Sequence, residues 1–337
     1  MRRAFFYITA VILLLVAGWF LHAYYIKPAS PQNPITQIKP RPYDKYTIEN
    51  LSKTAVSPVA IIIEGVLSEE PSFTSSLFSF NFDPTLQGKA PKKVTGLINI
   101  PKGKGPYPVV VMFRGYVDQK LYKTGDGTER AGEYFAKNGF ITIAPDFLGY
   151  GQSDSEAGNI FESRFQTYTT AMETLASVSS LSGWDKNNIF IWGHSNGGQI
   201  ALSLLEITGY TYPTVLWAPV SRPFPYSILY YTDESDDRGK LIRHELADFE
   251  QTYDVEAYSL DNYLDRIKAP IQLHQGSGDD AVPKDWSDSL NKKLETLEVD
   301  IEYFIYPGAD HNLAPSWNTV VERNLMFFRN NLLTSGR

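Results

Sequence analysis

Short apolar runs alternate along this chain with longer amphipathic stretches. Together they describe an α/β protein with a mostly parallel central sheet and helices on both faces. Val109-Val110-Val111-Met112-Phe113 carries no polar residue, as a strand buried on both sides requires. The residues able to do chemistry fall just after such runs, where parallel sheets bind their ligands.

Taken in order, the chain starts with Met1-Arg2-Arg3 and then Ala4 to Ile26, 23 residues without Asp, Glu, Lys or Arg. As a helix this run would reach roughly 34 Å, enough for a bilayer core of about 30 Å. Trp19, Tyr24 and Tyr25 stand where an interfacial aromatic belt belongs. The run's end is bulky and lacks a small-x-small cleavage site. Residues 1–26 are therefore expected to form an uncleaved, single-pass signal anchor. Arg2 and Arg3 keep its start in the cytoplasm and place the remaining chain outside; cleavage would release a secreted protein. Residues 27–46, with Pro28, Pro31, Pro34, Pro40 and Pro42, read as an extended spacer. A folded domain is expected over 47–337.

Within it, strands are expected at Lys93–Ile100, Val109–Phe113, Phe140–Ala144, Ile189–Trp192, Thr214–Trp217, Ile271–His274 and Ile301–Ile305. Helices are expected at Glu129–Lys137, Glu162–Leu181, Gln199–Ile207, Asp285–Leu297 and Thr319–Leu333. Residues 221–265 are aromatic, acidic and too long for a simple connection. They read as a small helical cap over the site or as a surface excursion.

Bulk composition removes several functions. The net charge is −7, with no clustered Lys/Arg, so the electrostatic footprint of a nucleic-acid binder is missing. With 0 Cys, disulfides, thiolate catalysis and Cys-ligated metals are excluded. Asp146 to Asp154 holds Gly149 and Gly151, but no Gly-Lys-Ser/Thr follows, so this turn is read as structural. No metal or cofactor is expected.

Gly193-His194-Ser195-Asn196-Gly197-Gly198 follows an apolar strand and opens a helix. This is the context of a nucleophile elbow, in which a tight turn lifts the Ser hydroxyl above the sheet. Among the five histidines, His311 follows the last strand, where a base can reach back to Ser195. The preceding strand ends in His274-Gln275-Gly276-Ser277-Gly278-Asp279-Asp280, which offers two adjacent carboxylates to orient that base. Asp279 is the first choice; Asp280 is the second, or else shapes the loop or meets substrate. The loop after Phe113, Arg114-Gly115-Tyr116, supplies the Tyr116 N–H as an oxyanion donor, or its hydroxyl, to join the N–H of Asn196. Arg114 is open to three readings: a ligand for a substrate carboxylate, a partner of the acidic insertion, or an ordinary surface residue.

With those residues in view, residues 90 to 335 resemble an α/β hydrolase of the prolyl oligopeptidase catalytic-domain type. The elbow with its extra Gly198 is similar to that family's, and so is the loop Gly276 to Pro283, whose first Asp serves as acid. The resemblance implies a Ser195–His311–Asp279 triad cleaving a peptide or amide bond in a small-molecule or peptide substrate. Two features depart from it: Asn196 stands where many of those peptidases carry Tyr, and 47–90 is too short for their β-propeller. A carboxylesterase is the competing expectation, and a non-catalytic binding module is a third.

Overall fold

The computed structural model describes residues 40–232 and 235–333, together with Leu15, Val16, Gly18, Trp19 and His22. The expected anchor at 1–26 and most of the spacer thus lie outside the described residues. Among those described, no helix is long and apolar enough to cross a membrane. One compact unit begins at Arg41. Its first aromatic residues are already core: Tyr46 is buried and packs on Phe165 at 5.8 Å. Residues 41–46 therefore belong to the folded unit rather than to the spacer.

Nine strands form one sheet: β1 (Ile62–Glu69), β2 (Phe73–Phe82), β3 (Lys92–Pro101), β4 (Tyr107–Phe113), β5 (Ile141–Pro145), β6 (Trp184–His194), β7 (Thr214–Trp217), β8 (Ile271–Gly276) and β9 (Ile301–Tyr306). Their order is β1-β2-β3-β5-β4-β6-β7-β8-β9. The first three strands and the β3–β5 pair are antiparallel; every pair from β5 through β9 is parallel. Sequence reasoning missed β1 and β2. The longer helices are α1 (Glu129–Lys137), α2 (Ile160–Ser177), α3 (Asn196–Thr208), α4 (Lys240–Glu250), α5 (Lys284–Thr296) and α6 (Trp317–Asn330).

Side-chain alternation sorts the central strands onto two cores. Val109, Val111 and Phe113 of β4, with Ile189 and Ile191 of β6, pack with Phe165, Leu202 and Leu205 of α2 and α3. Val110, Met112, Phe190 and Trp192 face the other way, onto Phe135 of α1 and Val321, Leu325 and Phe328 of α6. Both faces of the sheet are thus covered, as the all-apolar strands require.

The described part of the 221–265 insertion is largely helical, and three of its aromatic side chains lie on α2. Phe224, Phe249 and Tyr258 gather around Phe165 at 5.9, 6.0 and 4.7 Å.

Candidate active site

The order in which the parallel strands are laid down reverses at β4: β5 pairs on one side and β6 on the other. The crevice above such a switch is where open α/β sheets bind ligands. Arg114 to Tyr116 leave β4 there, and Ser195 stands at the end of β6.

Ser195 has φ 56° and ψ −120°, a strained left-handed turn for a residue with a Cβ. The surroundings hold it in place. Its N–H donates to Trp217 O (2.9 Å), and its carbonyl accepts from Val220 N (3.0 Å) and Gly198 N (3.0 Å). Glycine is obligatory on both sides of the turn. A Cβ on Gly193 would sit 2.5 Å from Gly197 O, and one on Gly197 would sit 2.0 Å from Phe113 O. Asn196 is the first residue of α3, so its N–H has no acceptor within the helix and points with the positive helix end.

His311 reaches this turn from the loop after β9. Its ring centroid lies 4.6 Å from that of His194. Its Nδ1 pairs with Asp279 Oδ2 at 2.9 Å, the Asp279 side chain being fully buried. That contact selects Asp279 over Asp280 as the partner of His311; Asp280 is exposed in the same loop. Asp279 accepts three further hydrogen bonds, from Gln275 Nε2 (3.0 Å) and the amides of Ala281 (2.9 Å) and Val282 (2.8 Å). Burial pushes its carboxyl up, but the His311 and backbone hydrogen bonds outweigh that and hold it below its ordinary value. With Nδ1 engaged, Nε2 is the ring nitrogen left to exchange a proton. Among the described residues Ser195 Oγ and the ring form no hydrogen bond. Such contacts commonly tighten only with substrate.

Two sets of contacts that sequence reasoning missed hold the base loop and the acid loop. His194 is buried, and its Nε2 pairs with the backbone carbonyl of His311 at 3.0 Å. Burial first, and then the nearby His311, lower its pKa to about 4, so it is neutral and can donate Nε2–H. Gln275, buried at the end of β8, ties Asp279 to Ser287 Oγ (2.8 Å) on α5.

On the opposite side of Ser195, a Cβ placed on Gly115 would lie 3.0 Å from Ser195 Cβ. A cavity of about 260 Å³ opens here, with Tyr116 and Asn196 both in its wall. Phe147, Leu148, Tyr150, Glu156 and Arg164 complete much of the lining. No described residue of 221–265 lines it, so the insertion does not roof this cavity. The Tyr116 side chain is 76% exposed.

The expectations for Arg114 as a surface residue or a partner of the acidic insertion are corrected here. Arg114 is 6% exposed. Its guanidinium carbon lies 3.9 Å from the centroid of Tyr150 and 4.5 Å from that of Tyr122. It donates from Nη1 to Gly115 O (2.9 Å) and from Nη2 to Asp146 O (3.1 Å). The Asp146–Asp154 turn is likewise internal: the Asp146 carboxylate accepts from Thr95, Tyr122 and Thr124.

A buried apolar cluster supports the acid loop, made by Val220, Val282 and Trp286 with Tyr231 packed against it. Tyr226 and Tyr230 lie 6.2 and 4.7 Å from the Trp286 ring and remain about half exposed.

Fold and elbow together define a serine hydrolase on the α/β-hydrolase fold. The chain belongs to the dienelactone hydrolase family, whose model matches residues 94–322. An uncharacterized peptidase, YtmA of Bacillus subtilis, is 26% identical over 69% of this chain and 87% of its own length. Dipeptidyl peptidase family member 6 of Caenorhabditis elegans is 22% identical over 66% of this chain, which spans only 32% of that relative. Among solved structures, acetyl xylan esterase 1 of Thermoanaerobacterium sp. superposes with a TM-score of 0.61 at 16% identity. That match covers 86% of this chain and 94% of the esterase, and it speaks for the fold.

Proposed function

We propose that Ser195, His311 and Asp279 are a catalytic triad that cleaves an amide or ester by way of an acyl-enzyme. The observation that carries this reading is the His311–Asp279 pair at 2.9 Å, set beside the strained Ser195 turn. Ser195 Oγ attacks the substrate carbonyl while His311 Nε2 takes its proton. Asp279 stabilises the imidazolium, and the amides of Asn196 and Tyr116 bind the oxyanion. His311 then protonates the leaving group, and water returns the acid.

The first substrate class is a peptide or peptide-like amide. One observation favours it: the match over nearly the whole of the peptidase YtmA. A short-acyl ester is the second class, favoured by family membership and by the match over nearly the whole of an acetyl xylan esterase.

The charge-free run at 4–26 is proposed to anchor the protein, with the catalytic domain on the extracytoplasmic side. Carbonate extraction of membranes and protease accessibility of the domain test this; an enzyme recovered in the cytosolic fraction would refute it.

For the chemistry, the purified full-length protein is compared with Ser195→Ala on dipeptidyl and acylaminoacyl anilides and on short-chain aryl esters. A fluorophosphonate probe is run alongside. Serine-dependent anilide turnover supports the peptidase reading. Ester turnover without anilide turnover assigns the esterase. No turnover and no labelling of Ser195 would leave only the binding-module alternative.

A further inference from the structure

The cavity side of Ser195 contains a buried cation that the triad does not use. Arg114 does not project into solvent or toward a carboxylate side chain. Its planar head lies against the rings of Tyr150 and Tyr122, and Nη2 is pinned to the Asp146 carbonyl. These contacts leave it little freedom. Its remaining terminal nitrogen donates to the carbonyl of the next residue, Gly115, at 2.9 Å.

That carbonyl belongs to the same peptide unit as the Tyr116 N–H. A trans peptide is planar, so its C=O and N–H point in opposite directions. Fixing the Gly115 oxygen therefore fixes the direction of the Tyr116 N–H. The unit could otherwise rotate, because Gly115 has no Cβ to restrict it. A Cβ there would come within 3.0 Å of Ser195, so the same glycine that allows close approach also gives up rigidity. An oxyanion donor works only if its direction is set before charge develops.

We propose that Arg114 is the positioning residue of the oxyanion hole, orienting the Tyr116 N–H through the Gly115 carbonyl and adding its positive charge behind that peptide. The proposal rests on the triad reading above, which makes the Tyr116 amide an oxyanion donor. It replaces the expectation that Arg114 binds a substrate carboxylate. Nη1 and Nη2 each donate to a main-chain carbonyl and the head packs on the Tyr150 and Tyr122 rings, leaving Nε without a hydrogen-bond partner.

The test uses the full-length protein with Arg114→Met and Arg114→Lys, alongside wild type and Ser195→Ala. Active sites are counted by end-point fluorophosphonate labelling, so misfolded molecules drop out of the rate. Per labelled site, Arg114→Met should lose about 30- to 100-fold in kcat with KM changed less than about threefold. Its affinity for an aryl boronic acid, which forms a tetrahedral adduct on serine, should fall in parallel with kcat/KM. Arg114→Lys, which keeps the charge and one donor, should recover part of the loss. A kcat per site within about threefold of wild type in Arg114→Met would overturn the proposal. A raised KM with unchanged kcat would overturn it too, and return Arg114 to substrate binding. Should wild type neither label nor turn over any substrate, the triad reading itself fails and takes the proposal with it.

Discussion

Ser195 sits between two loops that are fixed in opposite ways. On the base side, the loop after β9 is held without a cation: neutral His194 gives a hydrogen bond to the His311 carbonyl, and the Asp310 side chain folds the turn by accepting from the Asn312 and Ala314 amides. On the oxyanion side, the loop after β4 is held by the guanidinium cation of Arg114. The difference follows from what each side must do. A base must gain and lose a proton, so its supports should not compete for that proton. A donor to a negative charge gains from a permanent positive charge behind it.

The comparison can be broken most severely on the base side. Asp279→Asn keeps the shape of the acid loop but can leave the His311 ring in the wrong tautomer, and kcat should drop roughly 10³- to 10⁴-fold. Asp280→Asn, in the exposed neighbour, should stay within about twofold. Steady-state rates per labelled site check both. Equal losses in the two variants would mean that the buried contact at 2.9 Å does not identify the acid.

A smaller effect is expected at His194. Phenylalanine fills the space but cannot donate to the His311 carbonyl, and the loosened base should cost about 10- to 100-fold in kcat. Glutamine, whose Nε2 can replace the imidazole N–H, should restore most of it. A packing role alone would give the reverse order. His194 also carries an acid signature, since burial lowers its pKa to about 4 from an ordinary 6.5. The unfolded chain therefore binds more protons than the folded one between those values. Stability is full above pH 6.5 and falls as pH drops toward 4, by roughly 1 kcal/mol per unit. His274, buried and lowered to about 3, adds a slope of the same sign. Urea titrations at stepped pH should find His194→Gln less acid-sensitive than wild type.

How far all this was legible in sequence depends on whether a feature is local. Ser195 was readable because strand, turn glycines and helix are contiguous, and His311 because the loop after the last strand is a position set by chain order. Strands β1 and β2 were missed. Six successive residues of β1, 62–67, are exposed, while β2 buries Ser75, Ser76 and Ser79. Yet Phe78-Ser79-Phe80-Asn81-Phe82 alternates with period two, a strand signal that sequence reasoning passed over. The role of Arg114 was hidden for a different reason. Its aromatic neighbours stand 8 and 36 positions downstream, and no spacing rule links an arginine to ring faces that meet it only in the folded chain. The contact between His194 and the His311 carbonyl is equally remote, and it ends on a backbone atom that every residue possesses.

The smallest predicted effect sharpens the comparison by leaving both loops untouched. Glu206 lies on α3, three turns beyond Ser195, fully enclosed, with neither carboxyl oxygen hydrogen-bonded. Burial, reinforced by Asp261 and Asp265 and only partly relieved by Arg266, raises its pKa well above normal. The folded state thus keeps a proton that the unfolded chain releases above about pH 4.5, and stability falls as pH rises. Glu206→Met, similar in volume and without the polar group, should stabilise the fold by about 1–3 kcal/mol at neutral pH. That is about 2 °C in Tm per kcal/mol, with a gain that grows from pH 5 to pH 8. Because Glu206 takes no part in either loop, kcat per labelled site should not change. A lower Tm at both pH values would show that the carboxyl has a stabilising partner after all.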